Sequence, residues 1–233
     1  MAWRGSRVQV ASGPPASEAI ALARAGSLRQ VIGIIDYRAG NAPSVGYALE
    51  RLGVAHRLVA TAAELDAVDR IILPGVGAAR ATLESLATSR LVEALTRRVR
   101  DEHVPFLGIC IGLQVLLDHS EEGDVDCLGW VPGRVRRFPD TLRVPQIGWN
   151  SVRTTRAHPV TDGLGPEAYC YFVNSYYAVP AEASDALGLT EYGQEFCSIV
   201  ARDNIVATQF HAEKSGPVGL ALLGRFARWD PTC

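Results

Sequence analysis

The sequence lacks the marks of several protein classes. No apolar run approaches the ~20 residues that a membrane-spanning helix needs. Charge of one sign is missing: 23 Lys and Arg against 25 Asp and Glu leave a net charge of −2. Such a balance offers no broad pull toward nucleic acid or an anionic membrane. Cysteine is sparse and odd in number (Cys110, Cys127, Cys170, Cys197 and Cys233), with no CxxC pair. That argues against a disulfide scaffold or a zinc site and for a reducing compartment. There is no internal repeat, heptad pattern or low-complexity tract.

What remains is an ordinary soluble composition, 48% hydrophobic and 21% charged over 233 residues. That length holds one domain with a full core. Residues 1–29 differ from the rest, with four arginines, one acid (Glu18) and the breaker Gly13-Pro14-Pro15. No compact apolar core and cleavage site mark a secretory signal there. The stretch reads as a disordered tail or an early start codon, with an organelle transit peptide as the alternative. The ordered domain is expected over 30–233.

Val31 to Asp36 is an apolar run of the kind a buried parallel strand needs. After the turn Arg38-Ala39-Gly40-Asn41, Val45, Ala48, Leu49 and Leu52 follow a helical period that stops at Gly53. Strands are expected at 57–59, 70–73 and 105–109, with helices over 78–101 and 111–117. Alternating strands and helices predict an α/β fold, a parallel sheet covered on both faces. Beyond about residue 125 the texture changes to short β-like runs at 134–138, 142–147, 169–173, 186–192 and 195–202. A strand over 205–210 and a helix over 216–229 close the chain.

Gly108-Ile109-Cys110-Ile111-Gly112 lies between a predicted buried strand and a predicted helix. It is the thiol form of the G-x-S-x-G nucleophile elbow, in which a sharp turn lifts the reactive side chain clear of the sheet. A helix starting there would bring N–H groups and a positive dipole end toward the sulfur, favouring the thiolate. The motif alone equally fits a tight turn around a buried cysteine. Leu73-Pro74-Gly75-Val76-Gly77, at another strand end, could hold an oxyanion with the Ile111 N–H, or be a plain glycine-rich turn. Of the five histidines, only His211 directly follows an apolar run, and Glu213 stands two residues on, placed to fix its tautomer. Cys110, His211 and Glu213 form a candidate triad.

With these segments in place, the chain resembles the class I glutamine amidotransferases. The resemblance is nearest to the branch of glutaminase subunits of imidazole glycerol phosphate synthase, in histidine biosynthesis. Besides the elbow and His-x-Glu, it rests on Asp36 to Asn41, Gly75-Val76-Gly77, Pro145 to Asn150 and Tyr171 to Tyr177. It implies a flavodoxin-like three-layer fold, with a mostly parallel central sheet and a smaller antiparallel region. It implies Cys110 as nucleophile, His211 as proton shuttle and Glu213 as its orienter, with Gly75, Val76, Gly77 and Ile111 at the oxyanion. Gln114, Glu122, Ser175 and Tyr176 match positions that hold glutamine. Asn41, Gln146, Trp149 and Lys214 match a face that docks on a (β/α)₈-barrel cyclase, as a cytoplasmic heterodimer without metal or cofactor. Taken singly, Trp149 reads as well as a core aromatic and Lys214 as a solvated charge. Ala212, Gln146, Asn174 and Arg38 depart from the family pattern. A glutaminase for another synthase, such as that for anthranilate, carbamoyl phosphate or GMP, and an inactive structural subunit are the competing readings.

Overall fold

The computed structural model describes residues 30–37, 41–165 and 168–232. Residues 1–29 and Arg38 therefore lie outside the described residues.

The described strands are β1 (Ile32–Ile35), β2 (His56–Val59), β3 (Arg70–Leu73), β4 (Phe106–Ile109), β5 (His119–Ser120), β6 (Val125–Asp126), β7 (Gly133–Arg137), β8 (Gln146–Thr154), β9 (Ala168–Asn174), β10 (Tyr176–Pro180), β11 (Ala186–Glu191), β12 (Glu195–Arg202) and β13 (Ile205–Thr208). The main helices are α1 (Ala42–Arg51), α2 (Ala62–Leu65), α3 (Ala79–Thr88), α4 (Val92–Thr96), α5 (Ile111–Gln114) and α6 (Gly216–Phe226). A π-helical turn, Arg97–Asp101, extends α4.

The strand order begins β2-β1-β3-β4-β13, and these five strands are mutually parallel. β1, β3, β4 and β13 are buried at every position, because helices cover both faces. Successive side chains alternate between the two cores. Ile35, Ile71, Leu73 and Phe106 join the core of Leu86, Leu91, Leu95 and Val99 from α3, α4 and the π turn. Ile34, Ile72, Leu107 and Ile109 join Val45, Leu49, Leu222, Leu223 and Phe226 from α1 and α6. The result is three layers. Each of Leu222, Leu223 and Phe226 adds about 1.5–3 kcal/mol by leaving water, and Phe226→Ala would cost about 3–5 kcal/mol.

Local signals fix the helix ends. Pro43 and Pro217 stand in the first turns of α1 and α6. Gly53, with φ +68°, ends α1 in a left-handed conformation. The short α2 opens with a reciprocal cap, Glu64 N on Thr61 Oγ1 and Thr61 N on Glu64 Oε2. The Arg70 guanidinium, buried at the start of β3, donates to the carbonyls of Phe226 and Trp229 at the end of α6.

Beyond β13 the sheet turns antiparallel through β12, β10 and β7, with β5 and β6 at its edge, while β11, β8 and β9 form a branch from β12. This region extends further than the sequence runs suggested. β10 and the two-residue β5 and β6 were not foreseen, and the expected strand at 142–147 is instead β8, starting at Gln146. His119, two residues beyond the helix expected over 111–117, is in β5. The helix expected over 111–117 stops at Gln114. Beyond it the N–H groups of Leu116 and Leu117 bond to Leu113 O and Gln114 O, three residues back, so the ladder tightens into a turn. The carbonyls of Val115 and Leu116 accept instead from Leu128, Trp130 and Val131.

Candidate active site

Three neighbouring strand ends build the site. β4 runs between β3 and β13, with Leu73 opposite Gly108 and Thr208 opposite Ile109. The chain leaving β3 is Pro74 to Gly77, the chain leaving β4 is Cys110, and the chain leaving β13 reaches His211. Sites in open α/β sheets form at such carboxyl ends.

Cys110 has φ 56° and ψ −106°, a region that side-chain-bearing residues rarely occupy. The strain is held by backbone bonds: Cys110 N donates to Thr208 O at 2.7 Å, and Cys110 O accepts from Leu113 N and Gln114 N. The flanking glycines serve close approach. A Cβ on Gly108 would lie 2.4 Å from Gly112 O, and one on Gly112 would lie 2.0 Å from Leu73 O. Because α5 has only four residues, its dipole is weaker than the sequence implied. Its first N–H groups still point away from the helix body, free of intrahelical acceptors.

His211 is anchored through its backbone. Its N–H donates to Tyr171 O at 2.9 Å, and its carbonyl accepts from Ser215 Oγ at 2.7 Å. The imidazole Nδ1 lies 2.9 Å from Glu213 Oε1, on a carboxylate whose side chain is 1% exposed. An ionised carboxylate only accepts, so Nδ1 carries the proton and the other ring nitrogen is left for Cys110. Burial alone would lower the His211 pKa, but hydrogen bonds to Cys110 and Glu213 outweigh it and raise it to about 10. That favours the imidazolium at neutral pH. Burial instead pushes the thiols of Cys127 up to about 11 and of Cys170 and Cys197 up to about 12. Those three stay protonated.

Cys110 and His211 open into a pocket of about 240 Å³, lined also by Val76, Gly77, Ile111, Gln114, Glu122, Ser175 and Tyr176. This is small, suited to a metabolite. All four expected glutamine-holding residues are in that wall. Glu122 Oε2 accepts from Ala79 N at 3.0 Å, tying the β5–β6 segment to the chain after Gly77. Burial raises the Glu122 pKa, and the Ala79 hydrogen bond opposes this. Gly75 lies behind the pocket, where a Cβ would come 2.7 Å from Ile111 Cβ and 3.0 Å from the Tyr37 hydroxyl. Tyr37 Oη donates to Pro74 O at 3.0 Å and so pins the start of this segment.

The residues expected on a docking face divide. Trp149 is 57% exposed, beside exposed Ile147 and Tyr169, and Lys214 is exposed. Gln146, expected on the surface, is buried, opposite buried Asn174 in the β8–β9 register. Asn41 turns inward: its Nδ2 donates to Glu213 Oε1 at 2.7 Å. Ala212, buried, opens a 3-10 turn over Ala212–Lys214.

The sequence reading missed Gln209, wholly buried, whose Nε2 lies 3.7 Å from Cys110 Sγ. A lone amide within the apolar run 205–210 was the available signal. Asn174, one of the departures from the family pattern, also lines the pocket, and Pro145 and Val173 line it unforeseen.

The family described as "Glutamine amidotransferase class-I" matches residues 34–227. The chain is a class-I glutamine amidotransferase. Among curated relatives of this amidotransferase is "Imidazole glycerol phosphate synthase subunit HisH" of Dehalococcoides mccartyi, 42% identical over 84% of this chain and 96% of the relative. The protein of the same name from Syntrophotalea carbinolica is 44% identical over 84% of this chain and 98% of the relative. A chain of PurLQS from Thermotoga maritima shares the fold at a TM-score of 0.66 and 16% identity, covering 86% of this chain and 98% of that one.

Proposed function

We propose that this amidotransferase is the glutaminase subunit of imidazole glycerol phosphate synthase. The observation that carries the reading is the meeting of Gly77, Cys110 and His211 around one small pocket, in a chain 42% identical to a HisH subunit. The Cys110 thiolate attacks the side-chain amide carbon of glutamine. The N–H groups of Ile111 and of the Gly75–Gly77 segment receive the oxyanion. Protonated His211 gives its proton to the leaving nitrogen, so ammonia departs and a thioester remains. His211 then takes a proton from water as it attacks the thioester, releasing glutamate and restoring the thiolate. Glu213 holds the ring and balances the imidazolium. Gln114, Glu122, Ser175 and Tyr176 hold the substrate, and the Glu122 carboxylate suits its ammonium group.

The ammonia passes to a cyclase subunit with a (β/α)₈ barrel. There it joins a bound ribonucleotide to give imidazole glycerol phosphate and an aminoimidazole carboxamide ribonucleotide. Trp149 and Lys214, with exposed Ile147 and Tyr169, form the docking face, and the complex works in the cytoplasm. No helix among the described residues is long and apolar enough to cross a membrane.

Ammonia release from glutamine, measured with cyclase and its nucleotide bound, is expected to vanish in Cys110→Ala. Undiminished turnover in that variant would overturn the mechanism. Recovery of an anthranilate synthase subunit rather than a barrel cyclase in a pull-down would overturn the assignment.

A further inference from the structure

A row of buried amides leads from the pocket wall to the nucleophile. Gln114 Nε2 donates to the backbone carbonyl of Tyr176 at 3.2 Å and to Gln209 Oε1 at 3.1 Å. The Tyr176 carbonyl can only accept, so it fixes which end of the Gln114 amide faces it. Gln114 in turn fixes Gln209. With Oε1 committed to Gln114, Gln209 Nε2 is the end that faces Cys110 Sγ, at 3.7 Å. A reversed Gln209 would set its own donors against those of Gln114. The sulfur is therefore the acceptor of this contact.

Among the described residues Sγ also meets the Val173 backbone carbonyl, at 3.9 Å, and only a protonated thiol can use that contact. An amide donor opposes it, because hydrogen bonds to a charged acceptor are stronger than those to a neutral one. Gln209 is 0% exposed and Gln114 2% exposed, so water does not compete for these bonds.

We propose that Gln209 is a further catalytic residue of this site, its side-chain amide donating to Cys110 Sγ and holding the sulfur as thiolate. The proposal rests on Cys110 being the nucleophile. It adds a second donor to the sulfur beside His211, one whose own protonation does not change with pH.

The test is the pH dependence of Cys110 alkylation by iodoacetamide on the full chain, followed on the Cys110 peptide by mass spectrometry. Gln209→Leu removes the donor. The expected result is an apparent thiol pKa raised by about one unit, with alkylation on the acid side of the profile about tenfold slower. Gln209→Met, closer to glutamine in length, is the second variant should the leucine disturb folding, and the same shift is expected. A profile superimposable on the wild type in a cooperatively folded variant overturns the proposal. If that happens while Cys110→Ala still abolishes ammonia release in the complex, Gln209 loses its role and the glutaminase reading stands. If Cys110→Ala retains turnover, the glutaminase mechanism fails, and with it the catalytic role of Gln209.

Discussion

Asn41 Nδ2 and His211 Nδ1 donate to the same oxygen, Glu213 Oε1, at 2.7 and 2.9 Å. The other carboxylate oxygen is buried with no hydrogen-bond partner among the described residues. The amide thus does much of the work of aiming the carboxylate at the imidazole. Asn41→Ala is expected to lower kcat for partner-bound ammonia release by about tenfold, the scale of one hydrogen bond to a charged group. KM for glutamine should hardly change, since Asn41 does not line the pocket. Steady-state kinetics on the complex checks this, and a change confined to KM would count against it.

The raised His211 pKa has a consequence for stability. Its folded value, about 10, lies above the unfolded value of about 6.5. Protonated His211 therefore contributes stability that is complete below pH 6.5 and is lost as pH rises toward 10. Wild type should lose more melting temperature than His211→Asn between pH 7 and pH 10, and parallel curves would exclude the imidazolium.

Two glycine substitutions should part company. A Cβ on Gly112 would lie 2.0 Å from Leu73 O, so Gly112→Ala must push the elbow away from β3. Denaturant melts should show a loss of about 3 kcal/mol or more. A Cβ on Gly53 would meet nothing within 4 Å, and only its φ of +68° is costly. Gly53→Ala is expected to lose about 1–2 kcal/mol.

Trp149 tests the docking face. It is 57% exposed and packs edge-on against Tyr171 at 5.9 Å. Trp149→Ala should leave the melting temperature nearly unchanged while weakening cyclase binding by tenfold or more, on the order expected of an aromatic anchor. Calorimetric titration of the cyclase reads the second number, and unchanged affinity would remove Trp149 from the interface.

The legible parts of the fold were those where burial on both faces leaves only apolar residues. β1, β3, β4 and β13 announced themselves in this way, and Gly53 marked a helix end. The two-residue β5 did not, because neighbouring strands supply a pairing that residues 119–120 do not encode locally. β10 was hidden differently: its strand-favouring run Tyr176 to Val179 follows β9 after the single residue Ser175, so no turn signal separates the two. At the site, the Cys110 elbow and the His211–Glu213 spacing could be read directly, because their geometry is local. Gln209 could not, since its importance comes from Cys110 and Gln114, both distant in sequence.

From the chain alone came the family, with Cys110, His211 and Glu213 as candidates for nucleophile, base and carboxylate. Those are matters of residue type at fixed spacing. Tertiary structure decided how they work together. The order β3-β4-β13 sets three strand ends side by side. Asn41 is turned inward onto Glu213, Gln146 is buried, and Gln209 faces the sulfur. Each of these depends on contacts between segments tens of residues apart, which no local pattern specifies.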